Sequence, residues 1–324
     1  RPLIVDRFGW HVDRLEQDAE GVTLEAIAEQ GEREVWSARY LVGCDGGRSF
    51  VRRSLDIRFR GEGALEERYF GGRMFSTYIR SPALHQLMQR RLAWQYWAIN
   101  PDFRSTVISV DGLDRFLLRT KAASANQPPD DATVSGILNQ CAGTDVPAEI
   151  LGHEPWTAGT ALVAERFQQG RILLAGDAVH LFTPTGGFGM NTGIEDAFNL
   201  SWKLAACVWG WAGPHLLESY ERERLPIALR NTSAARQLSI NINEVHAPAQ
   251  IEENSAVGAV CRSGAAQQLA TFAEQFNSLG VQLGSRYDDS PIIAGDEAPP
   301  SDDFVSYRPS SLPGGRAPHA WLRD

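Results

Sequence analysis

Two short apolar runs, each stopping at a small residue and an aspartate, constrain this 324-residue chain more than any other feature. Tyr40-Leu41-Val42-Gly43-Cys44 gives way to Asp45-Gly46-Gly47, and Arg171-Ile172-Leu173-Leu174-Ala175 gives way to Gly176-Asp177. Continuous apolar runs this short read as strands buried on both faces of a helix-covered sheet. Ligands of doubly wound sheets sit just beyond the carboxyl ends of the strands. An acid there can accept hydrogen bonds from sugar or ribityl hydroxyls, and a neighbouring glycine lets the chain turn close to the ligand. Either Asp-Gly pair alone reads better as a plain turn. Their joint occurrence, the second before a glycine-rich loop and a helix, favours a ligand site.

That loop is Thr183-Pro184-Thr185-Gly186-Gly187-Phe188-Gly189-Met190-Asn191. Thr192 and Glu195 have the spacing of a capping box, which predicts a helix starting at Thr192. Ile194, Phe198, Leu204, Ala205 and Val208 recur along it at helical spacing. Gly187, Gly189 and Gly193 imitate a dinucleotide fingerprint, but the strand ends at Ala175, too far upstream. The free amides and positive dipole at the predicted helix start instead favour negative charge in front of it. A reduced flavin carries such a charge, planar and delocalised, on its pyrimidine edge. The plainer alternative is a surface loop, against which Pro184 and the capping box argue.

His180 could act as an acid or base; with no partner visible in the sequence, a structural role is the better reading. Ser49 can cap a short helix reaching Leu55, with Arg48, Arg52 and Arg53 on its solvated face, although an arginine there could meet a nicotinamide cofactor's phosphate. Trp94, Tyr96 and Trp97 are either strand core or one wall of an aromatic substrate pocket.

Around these motifs, strands are predicted at residues 9–17, 22–29 and 34–38, and an antiparallel sheet at 68–79, 92–99, 104–110 and 115–121. A helix is expected over 132–141, and mostly helical structure over 218–283, interrupted at Pro226 and Pro248. Residues 287–324 are rich in Pro, Gly, Ser and Asp and read as a linker or extended tail.

Composition narrows the class. The net charge of −9 offers no basic face to a phosphate backbone, so nucleic acid is not an expected partner. No apolar stretch approaches a membrane span. Cys44, Cys141, Cys207 and Cys261 are scattered, which fits a reducing cytoplasm, and the histidines lack metal-ligand spacing, so no metal is expected. Hydrolase and NTPase signatures are missing.

Taken together, these residues resemble the FAD-dependent aromatic hydroxylases, single-component flavin monooxygenases of the para-hydroxybenzoate hydroxylase type. Residues 40–49 are similar to the family's Asp-Gly motif. Residues 171–180 are similar to its Gly-Asp motif, which the loop through Asp196 extends. Tyr220, Glu221, Arg224 and Pro226 resemble the helix that follows. The stretch 313–322 resembles the lead into a small thioredoxin-like domain, which suggests the phenol hydroxylase and natural-product tailoring branch.

The resemblance implies an α/β fold: part of a Rossmann-like FAD-binding domain, an inserted antiparallel β-sheet substrate domain and a helical C-terminal segment. The expected boundaries are 1–60 and 166–230 for the FAD-binding part, 61–165 for the substrate part, and 231–324 for the helical segment and linker. The family's N-terminal G-x-G-x-x-G unit and the thioredoxin-like domain lie outside this sequence, so it is expected to be an interior piece of a longer chain.

The implied activity is NAD(P)H-consuming hydroxylation of a phenolic or polycyclic aromatic substrate by dioxygen, through a flavin hydroperoxide on FAD. The implied cofactor residues are Asp45, Gly46, Gly176, Asp177, Pro184, Gly186, Gly187, Gly189, Met190 and Asn191, with Pro184 beside the reacting edge. Trp94, Tyr96 and Trp97 would meet the substrate. A homodimer and the N-terminal segment of the same protein are the expected protein partners. Dehydrogenation, epoxidation or halogenation on the same fold, or a flavin-free interaction module, are the alternatives.

Overall fold

The structure, a computed structural model, describes residues 3–63, 74–89, 91–102, 104–121, 127–156, 159–213, 215–295 and 297–321. The chain begins with β1 (Trp10–Gln17), β2 (Val22–Ala28), β3 (Arg33–Ala38), β4 (Leu41–Gly43), α1 (Phe50–Ser54) and β5 (Phe59–Glu62). Next come β6 (Met74–Arg80), α2 (Pro82–Met88), β7 (Gln95–Ile99), β8 (Arg104–Ser109), β9 (Arg115–Lys121), α3 (Asp131–Ala142) and β10 (Glu149–Trp156). The remainder holds β11 (Ala161–Ala164), β12 (Gln168–Gln169), β13 (Ile172–Leu174), β14 (His180–Leu181), α4 (Phe188–Trp209), α5 (Glu218–Asn243), α6 (Ala256–Ala270) and α7 (Leu279–Leu283).

The chain divides into two compact units. The first comprises Arg1–Gly63, Thr160–Gln237 and Glu274–Asp324; the second comprises Ala64–Gly159 and Leu238–Ala273. The stretch 231–324, read from sequence as one segment, is therefore shared between them.

In the first unit β1, β2 and β3 form an antiparallel meander. β13 lies parallel to β4, with Ile172 opposite Leu41, Leu173 opposite Val42 and Leu174 opposite Gly43. The side chains of β13 are wholly buried, in a core with Val51, Phe167 and Tyr220. A side chain at Gly43 would put its Cβ 2.8 Å from Leu174 and 2.9 Å from Val51, so the strand end needs glycine for packing rather than for its backbone angles. As expected, Ser49 caps α1, its Oγ accepting the Arg52 amide at 2.8 Å.

Two expectations about where helices of this unit start and break fail. α5 runs through Pro226 without a break, because a proline costs a helix one amide donor and the surrounding packing holds the rest in place. Helix α4 starts at Phe188, not Thr192, and left-handed Gly187 (φ 67°) is its N-cap. Thr192 is buried inside the helix, where its Oγ1 accepts from Asn231 Nδ2 at 3.1 Å, and Glu195 pairs with Arg224 at 3.0 Å. Both capping-box side chains are thus committed to other partners.

The second unit is an antiparallel sheet in the order β10-β6-β9-β8-β7. Ile79, Val107, Phe116 and Leu118 on one face pack with Leu84 of α2 and with Val134 and Leu138 of α3. Asp130 caps α3 by accepting the Thr133 amide at 2.8 Å, and left-handed Gly143 (φ 70°) ends it. A separate cluster gathers Trp97 and Ile99 of β7 with Ile242, Val245, Leu269 and Phe272. The strand predicted from residue 68 is described only from Met74. Among the described residues, no helix is long and apolar enough to cross a membrane.

Candidate cofactor site

The pairing of β4 with β13 brings the two Asp motifs, 132 residues apart in sequence (177 − 45), to adjacent strand ends. The Ala175 amide donates to the Gly43 carbonyl at 3.1 Å, so the two chains separate only at Cys44 and Gly176. Asp45 is exposed, and one of its oxygens accepts the Val51 amide at 3.0 Å. Gly46 (φ 78°) and Gly176 (φ 63°) both adopt left-handed backbone that side chains disfavour. Asp177 is exposed and its carboxylate has no hydrogen-bond or ion-pair partner among the described residues.

Arg52 locks the two ends together. The sequence reading put it on a solvated helix face, but it is 6% exposed. Its Nη1 donates to the carbonyls of Gly47 (3.2 Å) and Ala178 (3.1 Å), and its guanidinium stacks 3.7 Å over Phe59. Burial lowers its affinity for its proton, and the guanidinium keeps its charge.

The loop after β14 delivers the glycines. Thr185–Gly187 form a 3-10 turn in which Gly186 (φ 82°) and Gly187 (φ 67°) are left-handed. Phe188, Gly189, Met190 and Asn191 then form the first turn of α4, which no side chain caps. Asn191 is occupied, donating from Nδ2 to the Gly187 carbonyl at 2.9 Å, while Pro184 and Met190 are exposed. The helix dipole expected at Thr192 therefore ends at the glycine loop itself.

A buried charge network underlies the turn. Asp196, sealed from solvent, accepts from the Gly176 amide (3.1 Å), His180 Nε2 (2.6 Å) and Arg224 Nε (2.8 Å). Burial alone would raise its pKa, but His180 and Arg224 outweigh that and hold the carboxyl below its usual range. Since the ionised carboxylate can only accept, Nε2 is the His180 nitrogen that carries a proton towards it. Arg224 also donates to Glu195, Tyr287 and the Thr192 carbonyl. His180 thus takes the structural role the sequence favoured, with its partner 16 residues on.

Asp196 went unread. The available signal was its place on a helical stripe with Thr192, Asn199 and Lys203, all of them buried, whereas the apolar Ile194 and Phe198 are exposed.

The three candidate substrate aromatics do not form one wall. Tyr96 packs with the α2–α3 face and its Oη donates to the Arg91 carbonyl at 2.6 Å. Trp97, next along the strand, points the other way and meets Phe272 edge-on at 5.5 Å. Trp94 precedes the strand and is 61% exposed.

Comparison with known proteins places this geometry. The family described as "FAD binding domain" matches residues 5–235. The chain belongs to this FAD-binding family. It is 32% identical to the FAD-dependent monooxygenase apdD of Emericella nidulans and 33% identical to a putative polyketide hydroxylase of Streptomyces halstedii. These alignments cover 99% and 98% of the chain, which spans 54% of the length of each relative. Among solved structures, the flavin-dependent monooxygenase PieE in complex with FAD and substrate superposes with a TM-score of 0.84 at 28% identity, covering 98% of this chain and 58% of that one. RebC with bound 7-carboxy-K252c gives 0.81 at 31% identity, covering 97% and 58%.

The residues present fit FAD. Among the described residues the hydroxyls of Thr183 and Thr185 are buried without hydrogen-bond partners, Asp177 offers a free carboxylate, and the start of α4 offers uncapped amides. Those are the donors and acceptors that a polar, partly anionic ligand with hydroxyl groups would engage.

Proposed function

We propose that this chain supplies the flavin-holding and substrate-holding parts of an NAD(P)H-consuming monooxygenase that hydroxylates a phenolic or polycyclic aromatic compound. The observation that carries the reading is the pair of strand-end aspartates held side by side before a glycine-capped helix, in a chain of the FAD-binding family. The names of its relatives, apdD and the polyketide hydroxylase, support the oxygen-inserting class.

When bound, FAD supplies the redox chemistry that activates dioxygen. Asp177 accepts from a ribityl or ribose hydroxyl, and Asp45 supports the same site from the neighbouring strand. Pro184 borders the reacting edge, and the backbone amides that follow Gly187 in the first turn of α4 stabilise negative charge on the ring, the Gly187 amide itself being taken by the Pro184 carbonyl. In the second unit Trp97 is the aromatic proposed to contact the substrate ring, Tyr96 lying on the opposite face of the same strand. The expected setting is the cytoplasm, with the enzyme as a homodimer.

The test is a visible spectrum of the purified protein followed by turnover under ¹⁸O-labelled dioxygen. A flavin absorption band, NAD(P)H consumption and one labelled oxygen in the aromatic product are expected. A colourless protein that takes up no added FAD overturns the reading, and an unlabelled oxidised product moves it to dehydrogenation.

A further inference from the structure

The Asp177 carboxylate has no hydrogen-bond or ion-pair partner among the described residues, yet it follows a left-handed glycine in a turn that must keep one shape for the carboxylate to meet a hydroxyl. Two contacts from α4 impose that shape. Gly193 brings the helix so close to the turn that a Cβ there would lie 3.3 Å from the Gly176 Cα. One helical turn later, Asp196 accepts the Gly176 amide at 3.1 Å. The same Asp196 oxygen accepts from His180 Nε2 at 2.6 Å, on the far side of the turn, and the other accepts from Arg224 Nε at 2.8 Å. The carboxylate therefore grips the Gly176–Ala178 segment from both ends, and Arg224 fixes the grip through the Thr192 carbonyl on α4.

We infer that Asp196 is the positioning residue of the cofactor site: by holding the Gly176 amide and His180 together, it sets the orientation of Asp177 and so the affinity for FAD. This rests on the flavin reading above. Asp196 itself touches no cofactor, because it is sealed from solvent and all three donors around it belong to the protein. An amide in its place could keep its oxygen on both the Gly176 amide and the His180 proton but would then turn an N–H towards Arg224, leaving the grip without the cation that anchors it to α4.

The experiment is a double-mutant cycle on FAD affinity, read by flavin fluorescence on binding to the full chain, with D177A, D196N and the double variant. Thermal unfolding of the flavin-free proteins runs in parallel. D196N is expected to weaken FAD binding about tenfold, the effect of one lost charge-assisted hydrogen bond. In a D177A background the same substitution is expected to change affinity less than about twofold, since a turn without its carboxylate has nothing left to aim. A role confined to stability gives the opposite pattern: a lower unfolding temperature with equal losses of affinity in both backgrounds.

Should D196N fail to fold, H180F keeps the ring shape between Phe167 and Phe182 while removing one donor, and is carried through the same cycle. Additive losses for the folded variant overturn the positioning role. If the unsubstituted protein binds no FAD at all, the flavin reading falls first; if it binds FAD and neither Asp196 nor His180 couples to Asp177, the flavin reading stands and only this inference fails.

Discussion

The Arg52 guanidinium donates to the Ala178 carbonyl at 3.1 Å, a bond between residues 126 apart in the chain. The same nitrogen reaches Gly47 at 3.2 Å, so one buried cation spans the two strand ends. Arg52→Ala would leave both carbonyls without this donor and open space against Phe59. A loss of about 2–4 kcal/mol in unfolding free energy is expected, measured by urea denaturation. Arg52→Lys should recover only part of it, since an ammonium cannot stack on the ring as a planar guanidinium does.

The pair formed by Lys203 and Glu223 is buried on α4 and α5, with Nζ and Oε2 2.5 Å apart. Burial lowers the lysine's pKa and the carboxylate pulls it back. Lys203→Met strands the carboxylate's charge and should cost about 3–5 kcal/mol. Combining it with Glu223→Gln removes that charge: the amide oxygen can still accept from Asn199, and its N–H can donate to the Ser290 hydroxyl, which turns to accept. The double variant is therefore expected to be more stable than Lys203→Met alone, by calorimetry at neutral pH.

Asp196 gives the acid limb of the stability profile. Its folded-state pKa lies below the ordinary carboxyl value, so its contribution is complete above about pH 4 and is lost as pH falls through the folded value. Chemical denaturation across this range should show a steeper fall for the unsubstituted protein than for D196N. Equal slopes would mean that the carboxylate is not ionised in the folded state.

Cys141, behind the sheet of the second unit, has its thiol pushed up to about 11 by burial. Since only the thiolate attacks, alkylation of this cysteine by iodoacetamide at pH 8 should be roughly a hundredfold slower than for a free thiol, rising tenfold per pH unit until about 11. Mass spectrometry of the Cys141 peptide over a pH series measures this.

The legible parts of this fold were those written in consecutive residues. The Asp45 and Asp177 turns, the Ser49 cap and the strand Arg115–Lys121 follow from local rules and stand where those rules put them. What escaped was decided by partners distant in sequence. Arg52 looks solvated among neighbouring arginines until Gly47 and Ala178 converge on it. Thr192 and Glu195 have capping-box spacing, but Asn231 and Arg224 claim them first and the helix begins a turn earlier. Asp196 needed both His180 and Arg224 in place before burying a carboxylate made sense. Tyr96 and Trp97 are adjacent in sequence and turned to opposite faces by the strand's own alternation, while Trp94 lies before the strand.

One detail of the tail remains consequential. Glu223 receives Asn199 and Lys203 from α4 on one oxygen and Ser290 on the other at 2.6 Å, while Tyr287 reaches Arg224. A stretch without helix or strand thereby completes the solvation shell of an interior ion. Undocking it would admit water to the centre of the α4–α5 pair, so protease nicking near Ser290 should be felt as loosening of α4, far along the chain from the cut.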